Sequence, residues 1–298
     1  MPSYTDAWLP GPDGTQFYTC TWAAPSPRAA TLFLHGFADH AARYDAVHAR
    51  WAARGVAVFA YDQRGFGRTA LDAAHASAGA AYGRTGTRQE QADIAFWLRH
   101  VQARWPGLPV FLMGYSAGGA SAITFVSTVP PAPEVAQLAG VLCAAPLITL
   151  VHPPAGLVRA AGSLASRLLP NITIPAVVPV ERFTRDKAEV EAMRTDPWRR
   201  AEGSLRAVDD MLNRGIANLT TDWKNWPQNL PILIVHSEDD PVNAPDSSKV
   251  FYERLSGAVD KKLVMISGSL HDMYHESDGV PERVTEEYVS WIEAHLAK

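Results

Sequence analysis

The stretch Val110 to Ala120 constrains the chain most: four apolar residues run into Gly114-Tyr115-Ser116-Ala117-Gly118, and small residues follow. The apolar run reads as a buried parallel strand, and Ala117 onward (Ala120, Ser121, Ala122, Ile123, Phe125, Val126) reads as a helix. A strand that becomes a helix at once puts Ser116 on a tight bend, with Gly114 and Gly118 supplying the room. Its hydroxyl then stands clear of the sheet beside a helix N-terminus, where backbone N–H groups favour developing negative charge. A nucleophilic serine requires this setting. The competing reading is a glycine-rich turn with an incidental serine.

The rest of the chain repeats the strand-then-helix rhythm. Strands are expected at Phe17–Trp22, Thr31–Leu34, Val56–Ala60, Leu138–Ala145, Pro231–His236 and Leu263–Ile266, and helices at Tyr44–Arg54, Pro245–Leu255 and from near Pro281. The clearest helix is Thr87–Trp105, with Thr87 and Glu90 as a capping box and Ile94, Trp97, Leu98, Val101 and Trp105 at helical spacing. Ala70–Gly86 reads as a loop. Between Leu147 and Trp226 the rhythm breaks: several prolines, helical pieces and no strand alternation. The organisation expected is an α/β core in two parts, 1–146 and 227–298, interrupted by a helical insertion at 147–226 after the sixth strand. Such alternation implies a mostly parallel sheet with helices on both faces, and a ligand site at the carboxyl ends of its strands.

Composition narrows the setting. With 298 residues, 47% hydrophobic and 19% charged, a large core is available. A net charge of −4 and the lack of a basic run argue against nucleic acid. The two cysteines, Cys20 and Cys143, fall in expected strands without C-x-x-C spacing and read as buried thiols. Met1–Pro12 shows no basic-then-apolar leader, and no run of about 18 apolar residues occurs. A soluble cytoplasmic protein is expected, with the sequons at Asn171 and Asn218 unused.

A serine hydroxyl needs a base and a group that orients the base. His271, just past the last strand, is the preferred base, and His275 the second choice; His236 lies inside a strand and reads as structural. The pair His271 and His275 lacks the Glu of H-E-x-x-H, so no metal is expected, and no cofactor. Of the acids Glu238, Asp239 and Asp240, the last is preferred because Pro241 holds it in extended backbone. An oxyanion needs N–H donors: Ala117 supplies one and the loop after the His35 strand the other, at Phe37. Arg64 reads as a structural ion-pair partner.

Taken together, His35 to Tyr44, Tyr61 to Gly67, Gly114 to Gly118, Asp240-Pro241-Val242 and His271 resemble the monoglyceride lipase / lysophospholipase branch of the α/β-hydrolases. The resemblance spans nearly the whole chain, including Leu169–Thr173 and Thr195–Pro197 in the insertion. It implies a Ser116, Asp240, His271 triad, an oxyanion hole at Phe37 and Ala117, and a helical cap over the site. The implied substrate is a monoacylglycerol or similar lipid ester. This chain departs from the family pattern at three positions: Tyr115 where His is usual, Asp39 where Glu is usual, and Phe37 where a small residue is common. Asp39, Arg43 and Tyr115 are the expected head-group residues, with an ion pair on the first helix as the competing reading for Asp39 and Arg43. Rival functions are a lysophospholipase, a general carboxylesterase or acyltransferase, and a non-catalytic ligand-binding relative. In the insertion, Leu157, Ala161, Leu164 and Leu168 share one helical face and Arg159, Ser163 and Arg167 another. That pattern fits a helix docked on a membrane or lipid droplet, or a stripe packed inward over the site.

Overall fold

The computed structural model describes residues 3–257 and 259–296, so the first two residues of the Met1–Pro12 segment lie outside it. The strands among the described residues are β1 (Thr5–Pro10), β2 (Gln16–Trp22), β3 (Ala29–Leu34), β4 (Val56–Tyr61), β5 (Val110–Tyr115), β6 (Leu138–Ala144), β7 (Thr173–Pro175), β8 (Glu202–Ser204), β9 (Ile232–Ser237) and β10 (Lys261–Ile266). The α-helices are α1 (Asp45–Ala53), α2 (Gly67–Leu71), α3 (Thr87–Arg104), α4 (Ala117–Ser127), α5 (Gly156–Leu168), α6 (Lys187–Thr195), α7 (Leu205–Thr220), α8 (Pro245–Arg254) and α9 (Val280–Ala294).

Eight strands form one sheet in the order β1-β2-β4-β3-β5-β6-β9-β10. β1 and β2 join antiparallel, and from β4 to β10 every neighbour is parallel. The order reverses at β3, whose successor β4 lies on one side and β5 on the other. At such a switch point the loops after two neighbouring strands diverge and leave a crevice at their carboxyl ends.

The apolar run of β5 is buried on both faces. Phe111, Met113 and Tyr115 join a core with Trp51, Tyr288, Trp291 and Ile292, while Val110 and Leu112 join another with Trp97, Leu98 and Phe251. Alternate residues of one strand thus feed two separate layers, as period-two geometry requires. Both cysteines are free and buried.

Three local readings differ from the structure. Gly86, not Thr87, occupies the N-cap of α3, and no side chain caps it. The Thr87 N–H instead donates to Asp210 of α7 at 2.9 Å, and Glu90 turns away to pair with Arg214 of the same helix. A distant carboxylate has replaced the local box because α7 packs against the start of α3. The 147–226 segment holds the short antiparallel pair β7–β8 beside its helices. Ala70–Gly86 opens in the last residues of α2 before becoming irregular. β1, an exposed edge strand with a single neighbour, has no counterpart in the sequence reading.

Candidate active site

Ser116 sits between β5 and α4 at φ 54° and ψ −119°, a left-handed conformation for a non-glycine residue. The bend holds because its flanks are glycines: a Cβ on Gly114 would lie 2.2 Å from the Gly118 carbonyl oxygen, and one on Gly118 2.3 Å from that of Leu34. Local sequence therefore sets a strained serine at the head of a helix. The N–H of Ala117, in the first turn of α4, has no acceptor within its own helix.

Three strand ends converge on the hydroxyl. Ser116 Oγ lies 3.0 Å from His271 Nε2, and His271 Nδ1 lies 2.7 Å from Asp240 Oδ2. All three residues are buried. The other Asp240 oxygen accepts the N–H groups of Val242 at 2.8 Å and Asn243 at 3.0 Å. Burial alone would raise the Asp240 carboxyl; His271 and His236 outweigh it and hold the group well below the usual carboxylate range. Asp239, by contrast, is exposed and only loosely paired, 3.8 Å from Arg185.

His236 has a closer role than a strand position suggests. Its Nε2 lies 3.0 Å from the same Asp240 oxygen that meets His271, and its Nδ1 lies 2.8 Å from the Ser248 hydroxyl. Asn243 also escaped the sequence reading: its amide donates to the Ala145 carbonyl at 2.8 Å and reaches Ser116 Oγ at 3.4 Å. No motif flags either residue: His236 meets Asp240 across the turn that follows β9, and Asn243 meets Ala145, 98 positions away.

His35 fixes the loop that carries Phe37. Its Nδ1 meets the Gly36 carbonyl at 2.7 Å, while its Nε2 accepts the Gln63 N–H at 2.8 Å. Burial lowers its pKa, so the ring is neutral with one defined tautomer. Gly36 faces Ser116 closely, since a Cβ there would stand 3.4 Å from the serine Cβ.

The expected head-group residues separate. Asp39 and Tyr115 line the cavity above Ser116, but Arg43 does not. Arg43 is buried between Asp39 at 2.9 Å and Asp272 at 3.1 Å, so its geometry is that of the ion pair rather than of a ligand contact. Asp39 also accepts the Tyr44 hydroxyl at 2.8 Å. Burial would raise its carboxyl, and Arg43 and Arg199 hold it far below the usual range. His275, the second choice of base, is turned away from Ser116 and toward Asp272 at 2.9 Å and the Arg43 carbonyl at 2.8 Å. Tyr115 packs its ring 5.1 Å from His271, and its buried hydroxyl has no hydrogen-bond partner among the described residues. Arg64 is held by both oxygens of Asp93, at 2.9 and 2.8 Å.

The cavity over Ser116 measures about 670 Å³ and takes its outer wall from 147–226, including Leu150, Ile174, Val178, Met211 and Leu212. In α5 the apolar stripe faces outward, not inward: Leu157 is 89% exposed, Leu164 59% and Leu168 71%. Arg159, expected on a lipid-facing basic stripe, instead pairs with Asp209 of α7 at 2.7 Å, leaving Arg167 exposed. Asn218 is fully buried and donates to the Ala120 carbonyl at 3.0 Å.

A mostly parallel sheet with a strained serine after β5, and a histidine and an aspartate after the last two strands, defines the α/β-hydrolase class. The sequence model of the serine aminopeptidase S33 family matches residues 25–278. A putative monoglyceride lipase of Schizosaccharomyces pombe is 31% identical over 291 residues, covering 93% of this chain and 71% of the relative. Among solved structures, a soluble variant of Saccharomyces cerevisiae monoglyceride lipase with a substrate analog superimposes at a TM-score of 0.84 and 24% identity, covering 99% of this chain and 95% of that one. A carboxyl esterase of Bacillus coagulans with glycerol follows at 0.82 and 19% identity, covering 99% and 100%. The chain belongs to the S33 family of serine α/β-hydrolases, in its monoglyceride lipase / lysophospholipase branch.

Proposed function

We propose that this enzyme, a carboxylic ester hydrolase, cleaves monoacylglycerols to glycerol and a fatty acid. The observation that carries the reading is the hydrogen-bonded line Ser116–His271–Asp240 on the floor of a largely apolar cavity of about 670 Å³. Volumes of this size hold a drug-sized ligand. Monoglyceride lipases among the relatives support the choice of ester.

In the proposed mechanism His271 Nε2 takes the Ser116 proton as Oγ attacks the ester carbonyl. Asp240 keeps the imidazole in the right tautomer and stabilises its protonated form. The N–H groups of Ala117 and Phe37 receive the oxyanion. His271 returns the proton to the leaving glycerol oxygen, and water then releases the acid from Ser116. Residues 147–226 act as a cap that walls the acyl chain, and its outward α5 stripe contacts membranes or lipid droplets in a cytoplasmic protein.

Ser116→Ala should abolish labelling by a fluorophosphonate and lower kcat by roughly 10⁶. Rates over mono-, di- and triacylglycerols, lysophospholipids and p-nitrophenyl esters decide the substrate. Full activity in pure Ser116→Ala protein would overturn the mechanism, and a preference for triacylglycerols the substrate.

A further inference from the structure

The loop that carries Phe37 is strained. Ala38 sits at φ 56°, in the left-handed region that a residue with a Cβ enters only at a cost. Such a backbone persists where its surroundings over-determine it. His35 fixes one end: its Nε2 accepts the Gln63 N–H at 2.8 Å, and its carbonyl accepts the Gln63 side chain at 2.6 Å. Asp39 fixes the other, accepting Arg43 at 2.9 Å and the Tyr44 hydroxyl at 2.8 Å. Between these anchors Phe37 is held through its ring. That ring meets Phe66 edge to face at 5.2 Å, and Phe66 in turn meets Tyr82 at 5.6 Å.

The ring also meets β8, which belongs to the 147–226 segment and not to the main sheet. A Cβ on Gly203, the middle residue of β8, would lie 2.6 Å from Phe37 Cζ and 3.1 Å from its Cε2. The strand is itself pinned to the core. Ser204 donates its N–H to the Gly83 carbonyl at 2.8 Å, and Arg200 donates its own to the Tyr82 hydroxyl at 2.9 Å. Gly83 in turn donates to the Gly65 carbonyl at 2.7 Å. A Cβ on Gly83 would stand 2.6 Å from Gly203 Cα, so the two backbones touch. Glycine weakens a strand interior, and its presence there marks a close approach. Here the approach is that of an aromatic ring from the oxyanion loop.

Resting on the assignment of the Phe37 N–H to the oxyanion, we infer that β8 positions this donor: Gly203 admits the Phe37 ring, and the seated ring sets where the N–H points. Gly203 does not line the cavity over Ser116, so it is a positioning residue that acts through Phe37. A methyl group at 203 would push the ring back by about 1 Å before an ordinary carbon–carbon separation of roughly 3.5 Å returned. Val208 crowds the same point, 3.3 Å from that methyl. A misplacement of about 1 Å can cost on the order of 10² in rate, and loss of one oxyanion donor roughly 10²–10³ in kcat.

The test measures kcat and KM on p-nitrophenyl butyrate and the inhibition constant of hexyl trifluoromethyl ketone. The ketone reports the oxyanion: Ser116 Oγ bonds to its carbonyl carbon, the serine proton passes to His271, and the carbonyl oxygen takes the negative charge. Gly203→Ala should lower kcat by at least about tenfold, weaken the ketone by a similar factor and leave KM within about twofold. Phe37→Ala keeps the N–H but loses the ring, and should lower kcat by about tenfold. In that background Gly203→Ala should cost less than about twofold more, because nothing is left to clash. Equal costs in the two backgrounds, or wild-type kcat in Gly203→Ala, overturn the inference. So does a fall in kcat with unchanged ketone affinity, since β8 would then act elsewhere than on the oxyanion. If Gly203→Ala does not fold, Phe37→Ala decides alone: wild-type kcat and ketone affinity there mean that the ring does not place the donor. A wild-type protein that neither cleaves the ester nor binds the ketone would overturn the esterase reading instead.

Discussion

One oxygen of Asp240 meets two imidazoles, His271 at 2.7 Å and His236 at 3.0 Å. That sharing makes two predictions distinguishable. Asp240→Asn should cost roughly 10⁴ in kcat, because the amide presents the wrong hydrogen-bonding group to the imidazole. Asp239→Asn should cost little, since that side chain is 59% exposed. If Asp239→Asn is instead the inactive variant, the assignment of the acid fails. His236→Gln should lower kcat by roughly ten- to a hundredfold, as a hydrogen bond to a charged group is worth about 1.5–3 kcal/mol. Circular dichroism checks the fold, and a His236→Gln enzyme with wild-type kcat would reduce His236 to core packing. Pro241 made Asp240 the preferred acid from sequence alone. Nothing in the sequence announced that a histidine four residues earlier reaches the same oxygen.

Elements divide into those whose pattern decides their surroundings and those whose partners do. β5 runs through four apolar residues into Gly114 and Tyr115 and is buried on both faces, as its composition demands. α5 carries a clean apolar stripe, and pattern alone left inward and outward packing open. The stripe faces outward because Arg159, Ser163 and Ser166 on another face hydrogen-bond Asp209 of α7. Polar pairing with one neighbour therefore turns the leucines to solvent. Leu164→Asp should then leave thermal stability within about 0.5 kcal/mol of wild type, as for other exposed sites. It should weaken sedimentation with phosphatidylcholine liposomes and slow hydrolysis of long-chain monoacylglycerol, while p-nitrophenyl butyrate turnover stays level. Unchanged liposome binding would remove the membrane role of this helix. No helix among the described residues is long and apolar enough to cross a membrane.

Across the whole molecule, buried titratable groups tie stability to pH in opposite senses. His48 is enclosed by Trp22, Phe33, Tyr44 and Trp51, and burial, then the nearby His275, pushes its pKa down to about 3. Its folded value is depressed, so the neutral ring favours folding above the ordinary value near 6.5. That contribution is lost as pH falls from there toward 3, at about 1.4 kcal/mol per unit. His275 acts the other way. Burial opposes its charge, but Asp272 raises its pKa, so its contribution is full below about 6.5 and fades as pH rises through the folded value. His48 Nδ1 lacks a hydrogen-bond partner among the described residues, so His48→Leu breaks no bond at that atom. Urea unfolding between pH 7 and 5 should show any wild-type advantage over His48→Leu shrinking by about 1.4 kcal/mol per unit below pH 6.5. A constant difference would mean that His48 titrates normally.

What the chain alone determined is what depends on neighbours in sequence. The strained bend at Ser116 needs only Gly114, Gly118 and a strand joined to a helix. The order Ser116, Asp240, His271 needs only strand ends, because every parallel strand delivers its last residues to the same edge of the sheet. The tertiary structure decided what depends on residues far apart. It turned Arg43 into an ion pair between Asp39 and Asp272, 229 positions from the latter. It also gave the Thr87 N–H of α3 to Asp210, 123 positions away, in place of the local box. A carboxylate or guanidinium binds whichever opposite charge the fold brings within reach, and spacing along the chain carries no record of that meeting.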